Sequence, residues 1–581
     1  VSDFISSLAD FDPNALYACP LGGQAEMGLV LWLFMHQGQI LIVDAGASYP
    51  ANELPGVDLF LPNSNFLEAN EDKIVGLILT NGHEEHCGAV SYLLNHIKVP
   101  RIMAPRFVAT LIKDNAYDLY GMDIKNLPAI EEIQTRHDYQ LGAFTLEWID
   151  SNNAIADACA LKIATAGGTV IYTSSFKFDQ TPIDGKLLDV GRLAAIGDVG
   201  VDLLISDSVN IEENGYTPSE KKVADKFKAL ATDSAGRLIV VFPATNTHRL
   251  RILFEAALAA KRRVLLLGDT LHKVAVSAAM TGHLTFDQKL TASLSDLPEL
   301  KDKEVFVIAS SIEADPISVL DQLAYGTHPS FKLKEGDTVV FSSDVMPGHA
   351  RHMGYILDQL LSIDVKTVWG TRQGVHVSKH AAKEELKLIL SSVKPRYFTP
   401  AIGEGRHITQ HGELSLAVGL DETQVFNLSN GDVFELADGF ATVIGAIESQ
   451  PVLFNREQGE RVTTASVNER RALSLEGVVT IGLSLTAGGE IASGPTLECG
   501  AAGFLRSSEW LALEAELEGI IREAVNRSKN ETKKGNHNQD SSGESGLATM
   551  RSAIRESVVK TIRSRLSAKP TVQVLLSRAE K

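Results

Sequence analysis

No apolar run in this 581-residue chain reaches the roughly 18 uninterrupted residues that a membrane-spanning helix needs. The sequence therefore predicts no spanning helix. Val1–Asp12 has no basic n-region and no signal-peptide core, so no leader is expected and a cytoplasmic location is. Cysteine is scarce: Cys19, Cys87, Cys159 and Cys499 are scattered, without a CxxC spacing. They read as buried or incidental thiols in a reducing compartment. Positive charge is also in short supply, with 54 Lys and Arg against 73 Asp and Glu and a net charge of −19. That argues against a general electrostatic grip on nucleic acid, which needs basic surface, though a local basic channel inside an acidic shell stays open. No internal repeat is visible.

The composition that is present, 44% hydrophobic and 22% charged, is that of a soluble globular protein. The length is enough for two to four domains. Up to about residue 205, short apolar runs alternate with Gly-rich turns; Ile40–Val43, Ile74–Leu79, Phe144–Ile149, Thr169–Tyr172 and Leu203–Ile205 read as buried strands. From 206 to about 362, strands at Leu238–Phe242, Arg263–Leu267, Val305–Ile308 and Thr338–Phe341 alternate with helical stretches such as Arg249–Lys261 and Ala350–Ser362. That alternation predicts βαβ units around a parallel sheet. The short-strand pattern returns from 365 to about 450.

A further region runs from about 455. It holds a hairpin signal at Ala487-Gly488-Gly489 and a helical stretch, Glu509–Arg527. Ser528–Gly546 has no apolar residue and reads as a flexible linker. Ala548–Leu566 then reads as an amphipathic basic helix carrying Arg551, Arg555, Lys560, Arg563 and Arg565, and Thr571–Leu576 as a strand. The charged face is either simply solvated or a contact for RNA or a partner.

The most informative stretch is Leu79-Thr80-Asn81-Gly82-His83-Glu84-Glu85-His86-Cys87-Gly88. It follows an apolar strand and packs histidines and carboxylates into a strand-end loop. Other segments accompany it in order: Pro20-Leu21-Gly22-Gly23, Val43-Asp44-Ala45-Gly46, Phe176-Lys177-Phe178-Asp179, Ser206-Asp207-Ser208, Tyr216-Thr217-Pro218, Gly374-Val375-His376-Val377-Ser378-Lys379-His380 and Lys394-Pro395-Arg396-Tyr397-Phe398. Together they resemble the ribonuclease J family over nearly the whole chain, and Asn153-Ala154-Ile155-Ala156-Asp157 is similar to cyanobacterial members.

The resemblance implies an architecture. A metallo-β-lactamase αββα sandwich (1–205 and 363–450) is interrupted by a β-CASP α/β domain (206–362). A small α/β C-terminal domain (455–581) follows, with its linker at 528–546. It also implies cleavage of RNA internally and from the 5′ end by two zinc or manganese ions, and assembly into dimers or tetramers.

Two adjacent metals need several imidazole nitrogens and carboxylate oxygens converging on them. The family loop reads His-x-His-x-Asp-His; here Asn81 stands at the first position, His83 and His86 are kept, and Glu85 replaces the Asp. Asn153, Ser175 and Ile402 stand where the family has a ligand His, the metal-bridging Asp and the last ligand His. Asn is a poor zinc ligand and Ile cannot be one. The resemblance thus points to a kept fold with an abandoned centre, and no cofactor is expected. Recruitment of zinc or manganese by another geometry is the competing reading. Otherwise His83 and His86 simply hydrogen-bond in a polar pocket.

Some of the family's RNA-contact segments persist. His376, Val377, Ser378 and His380 match its phosphate-binding segment, with Lys379 in place of Gly; Thr245, Asn246 and His248 match a second; Asp207 matches the β-CASP acidic motif. Each could instead serve domain packing. Other features are weakened: Ser310–Pro316 lacks the family's glycines, Asp269 stands for an Arg, and Ala382 for a Ser. The expectation is a non-catalytic structural or regulatory subunit of an RNA-processing or other complex, homo- or hetero-oligomeric, pairing with an active paralogue or a larger machine. RNA binding is a second function and surviving metal-dependent nuclease activity the alternative.

Overall fold

In the computed structural model, residues 4–50, 54–114, 127–310, 316–345, 349–456, 458–500, 508–534, 544–566 and 569–579 are described. The chain divides into two compact units: Val1–Asn52 with Asp58–Glu460, and Glu53–Val57 with Arg461–Lys581.

The first unit contains two large sheets. One runs, in spatial order, Phe440–Ala446, Asp432–Ala437, Leu16–Gly22, Leu31–His36, Gln39–Val43, Ile74–Ile78, Ile102–Ala104 and Ile130–Glu132. The other runs Tyr397–Ala401, Leu203–Asp207, Gly168–Tyr172, Cys159–Thr165, Phe144–Asp150 and Asp138–Leu141. Side chains alternate across a strand, and that alternation builds the layers. Leu16, Ala18, Trp32, Phe34, Leu41 and Val43 face Leu146, Trp148, Leu161, Ile163, Val170 and Leu203 between the sheets. Their neighbours Tyr17, Cys19, Leu33, Ile40 and Ile42 point the other way, into a core shared with Tyr92, Leu93, Phe107 and Leu111 of covering helices. On the far side Ile149, Ile171, Leu204 and Phe398 meet Leu193, Ile196, Leu386 and Ile389. The result is an αββα sandwich.

Inserted between Leu203–Asp207 and Tyr397–Ala401 is a five-stranded parallel sheet in the order Arg263–Leu267, Val305–Ala309, Leu238–Val241, Thr338–Phe341, Lys366–Trp369. Phe227, Leu250, Leu253 and Leu271 cover one face; Leu320, Leu323, Met353 and Ile356 cover the other. Lys366–Trp369 extends this sheet past the boundary expected at 362. The strand is short and only Val368 is buried, so its pattern does not differ from that of the short strands after it.

The second unit has a three-stranded sheet, Ile491–Gly500, Val478–Leu485 and Thr571–Arg578, the first pair antiparallel and the second parallel. Val479, Ile481, Leu483 and Leu485 pack against Leu513, Leu517, Ile521, Ile554, Val558 and Ile562. These helical residues belong to Ser508–Lys534 and Glu544–Leu566. The linker expected at 528–546 is thereby corrected at both ends, since 528–534 and 544–546 are helical; 535–543 lie outside the described residues. Lack of apolar residues did not end the first helix; along this stretch Ser528 is buried and Lys529 lies 2.7 Å from Glu490. In the second helix the five basic residues are exposed while Met550, Ile554, Val558 and Ile562 face the core.

Candidate functional site

The strands Gln39–Val43 and Ile74–Ile78 run parallel and end side by side. Each delivers a polar loop to the same rim of the sandwich. The short helix Glu84–Cys87 is clamped there by backbone bonds from Val30 N to Glu85 O (3.0 Å), Ala45 N to His86 O (2.7 Å) and Ala47 N to Glu84 O (3.0 Å). Gly46 permits that approach, because a Cβ there would collide with the Glu85 carbonyl.

Asp44 adopts a left-handed φ of 61°, which Asp tolerates better than most residues. The turn aims its carboxylate inward. It accepts from Thr80 N (2.9 Å), Thr80 Oγ1 (2.8 Å) and the Tyr172 hydroxyl (3.1 Å), and lies 2.8 Å from His86 Nδ1. Burial, then the Asp44 charge, drives the Tyr172 phenol well above its usual range, so it stays a donor. With Nδ1–H donating to Asp44, the remaining His86 nitrogen, Nε2, faces Ser175 Oγ at 3.0 Å.

His83 is equally engaged. Asn153 Nδ2 donates to the Ser175 carbonyl at 2.7 Å, which turns Asn153 Oδ1 toward His83 Nε2 at 2.8 Å. His83 Nε2 must then carry the proton, and Nδ1 accepts from Thr245 Oγ1 at 2.8 Å. Burial, with the Lys379 charge added, holds this imidazole well below the ordinary histidine range. Asn81 accepts from His83 N (2.9 Å) and donates to Ser174 Oγ (2.9 Å).

Glu85 carries the charge at the mouth of the pocket. Lys379 Nζ donates to its Oε1 at 2.6 Å, and His86 Nε2 is 3.7 Å from that oxygen. Burial opposes ionisation, but the attraction of Lys379, ahead of His86, outweighs it and holds the carboxyl below the usual carboxylate range. Ile402 is buried in the inter-sheet core at φ 55° and fixed by backbone bonds to Gly23 and Ser208.

The structure therefore brings Asn81, His83, Glu85, His86, Asn153 and Ser175 into one pocket, with Ile402 in the apolar layer. Of the expected RNA contacts, Thr245 and Lys379 join this pocket directly. The others are engaged around it. His380 Nδ1 lies 2.6 Å from Asp207, and His376 Nε2 lies 3.0 Å from Asp344. The Ser378 carbonyl accepts from buried Lys177 at 3.1 Å, and Val377 is buried. Asn246 caps helix Thr247–Ala259 by accepting from Arg249 N, and His248 is 3.4 Å from Asp184. Asp269 is exposed in the first turn of its helix, and Ala382 occupies the N-cap position of Lys383–Val393, its N–H donating to Glu385. Residues 311–315 of the expected phosphate loop lie outside the described residues.

Sequence reasoning did not assign roles to Asp44, Thr80, Tyr172 and Ser174. The available signal was a lone carboxylate closing the apolar run Ile40–Val43.

Residues 25–146 match the family model "Metallo-beta-lactamase superfamily", and residues 235–360 match "Ribonuclease J, beta-CASP domain". A ribonuclease J from Synechocystis sp. is 31% identical over 564 residues, covering 97% of this chain and 87% of that protein. The chain belongs to the ribonuclease J family. A ribonuclease J from Mycolicibacterium smegmatis is 31% identical over 483 residues, covering 83% of this chain and 86% of the relative. In fold alone, the chain is similar to the crystal structure of a protein of unknown function from Enterococcus faecalis V583, with TM-score 0.52 and 14% identity, covering 73% of this chain and 100% of that one.

A metallo-β-lactamase scaffold raises the question of zinc or manganese. Among the described residues, no group of three or more His, Cys, Asp or Glu side chains is placed to hold a metal ion. The His83 lone pair is taken by Thr245, that of His86 by Ser175, and the Glu85 charge by Lys379. This donor set does not fit a pair of divalent ions.

Proposed function

We propose that this member of the ribonuclease J family is a non-catalytic structural or regulatory subunit of an RNA-processing or other macromolecular assembly in the cytoplasm. The observation that carries the reading is the closed hydrogen-bond circuit of the pocket, in which Asn153, Ser175, Thr245 and Lys379 satisfy His83, Glu85 and His86 from within the chain. Water attack on a phosphodiester by two metals needs those lone pairs free to coordinate. A homo- or hetero-oligomer, including one with an active paralogue, is the expected working form.

RNA contact through Thr245, Asn246, His248 and His376–His380 is a subordinate part of the proposal. His376 and His380 each face a carboxylate, Asp344 and Asp207, which a phosphate would have to displace. That favours a protein-facing role over a tight RNA clamp.

Family membership itself favours the alternative, a metal-dependent endo- and 5′-exoribonuclease. Elemental analysis of protein purified without chelator separates the two. The expected result is far less than one zinc or manganese per chain and no RNA cleavage with either ion added. About two ions per chain together with RNA degradation would restore the nuclease. Native co-purification that recovered this chain alone, with no second copy, would remove the subunit role.

A further inference from the structure

Glu85 Oε1, His86 Nε2 and Ser175 Oγ form a triangle with sides of 3.0, 3.5 and 3.7 Å. Zinc bonds of about 2.0–2.1 Å in a tetrahedron place neighbouring donors roughly 3.3 Å apart. The triangle therefore keeps the size of one face of a cation site, although one corner is a hydroxyl. At one corner of that face lies a cation the chain supplies itself: Lys379 Nζ, 2.6 Å from Glu85 Oε1.

We infer that Lys379 is a built-in cation, its ammonium closing a latent single-ion site formed by Glu85, His86 and Ser175 and keeping divalent metals out. Three observations carry this. The Glu85 side chain is only 20% exposed and that of Lys379 25%, so the pair is shielded enough for the two charges to depend on each other. Lys379 lies in the segment Ser378-Lys379-His380, whose ends are pinned by Lys177 to the Ser378 carbonyl (3.1 Å) and by Thr217 and Asn210 to the His380 carbonyl (2.6 and 2.9 Å). The backbone from which the ammonium reaches Glu85 is thus fixed beside the pocket. Finally, a Lys at this place brings one positive charge and three donors to a carboxylate, the electrostatic service a metal would give, without a vacant coordination position.

The inference rests on the non-catalytic reading and is separable from it. A double-mutant cycle of Lys379→Met and Glu85→Gln, followed by urea unfolding in EDTA, measures the dependence of one on the other. Each single change is expected to lower the midpoint, and the double variant to lie well above the sum of the two losses. Zinc uptake is then compared between Ser175→Asp alone and Ser175→Asp with Lys379→Gly. The second is expected to take up zinc with an affinity at least about tenfold higher than the first, equivalent to ~1.4 kcal/mol. Equal uptake by the two variants, or strict additivity in the cycle, overturns the inference while a metal-free native protein leaves the functional proposal standing. Native protein that arrives with two ions bound overturns both.

Discussion

His86 Nδ1 lies 2.8 Å from Asp44 Oδ2, with both side chains completely excluded from solvent. The same carboxylate holds Thr80 and Tyr172, so Asp44 is the post to which the loop Thr80–Cys87 is tied. This role belongs to stability, and it persists whether or not a metal sits at the other end of the imidazole.

Asp44→Ala should therefore be costly. It removes the acceptor of four donor groups on three residues, and leaves His86 Nδ1 and the Thr80 N–H without that partner in the interior. Breaking a buried charged network in this way costs roughly 3–5 kcal/mol. Ser175→Ala, which removes one hydroxyl partner of His86, should cost only about 0.5–1.5 kcal/mol. Urea midpoints of the two variants check the order; a Ser175→Ala loss equal to that of Asp44→Ala would contradict the anchoring role.

Ile402 supplies a test of backbone strain. A β-branched residue at φ 55° is a genuine outlier, and a sparsely populated conformation costs on the order of 1–3 kcal/mol. Both Ile402→Ala and Ile402→Gly lose the same buried packing, to within one methyl group. Only Gly also relaxes the backbone. Ile402→Gly should be more stable than Ile402→Ala by about 1 kcal/mol, the reverse of the usual order in regular structure. Equal or inverted stabilities in urea would show that the surroundings, not the dihedral, set the cost.

How far the sequence reached follows from the range of each interaction. Buried runs such as Ile40–Val43, Arg263–Leu267 and Thr338–Phe341 announce strands because every residue of the pattern is local. Lys366–Trp369 escaped because an edge strand with one buried side chain carries almost no pattern. The helix past Ser528 escaped because its last turns carry no apolar residue, and the contact it does make, Lys529 to Glu490, joins residues 39 positions apart. In the pocket, the His83, Glu85, His86 cluster could be read as a motif, but its partners could not. Tyr172 is 128 positions from Asp44, Thr245 is 162 from His83, and Lys379 is 294 from Glu85. Only the fold brings them together.

His411 predicts a pH dependence. Its ring is fully buried against Phe398, with Nδ1 2.9 Å from Ser208 Oγ, and burial pushes its pKa down from 6.5 to about 3. A folded-state pKa below the unfolded one means that the unfolded chain takes up a proton first as the pH drops. Stability is thus fully present above about 6.5 and is lost as the pH falls toward 3. At pH 4.5 the loss from this residue is roughly 2–3 kcal/mol, at about 1.4 kcal/mol per pH unit. His411→Gln should flatten that limb by the same amount, read as the difference in unfolding free energy between pH 7 and 4.5 for variant and native protein. An unchanged limb would mean that the ring is protonated in the folded state.

Metal removal bears on the proposed function through stability alone. An ion that binds the folded chain and not the unfolded one adds RT ln(1 + [L]/Kd), about 2.7 kcal/mol at a hundredfold excess over Kd. A protein whose pocket closes on itself through Thr245, Ser175 and Lys379 has no such contribution to lose. Its Tm should be the same in EDTA, in added zinc and in added manganese. In a compact unit of this size ~1 kcal/mol moves the Tm by about 1 °C, so an ion at that excess would shift it by about 3 °C. A drop of several degrees on chelation, recovered by either ion, would mean that the lone pairs of His83 and His86 are open to a metal after all, and the hydrogen-bond circuit would then be the form adopted only in its absence.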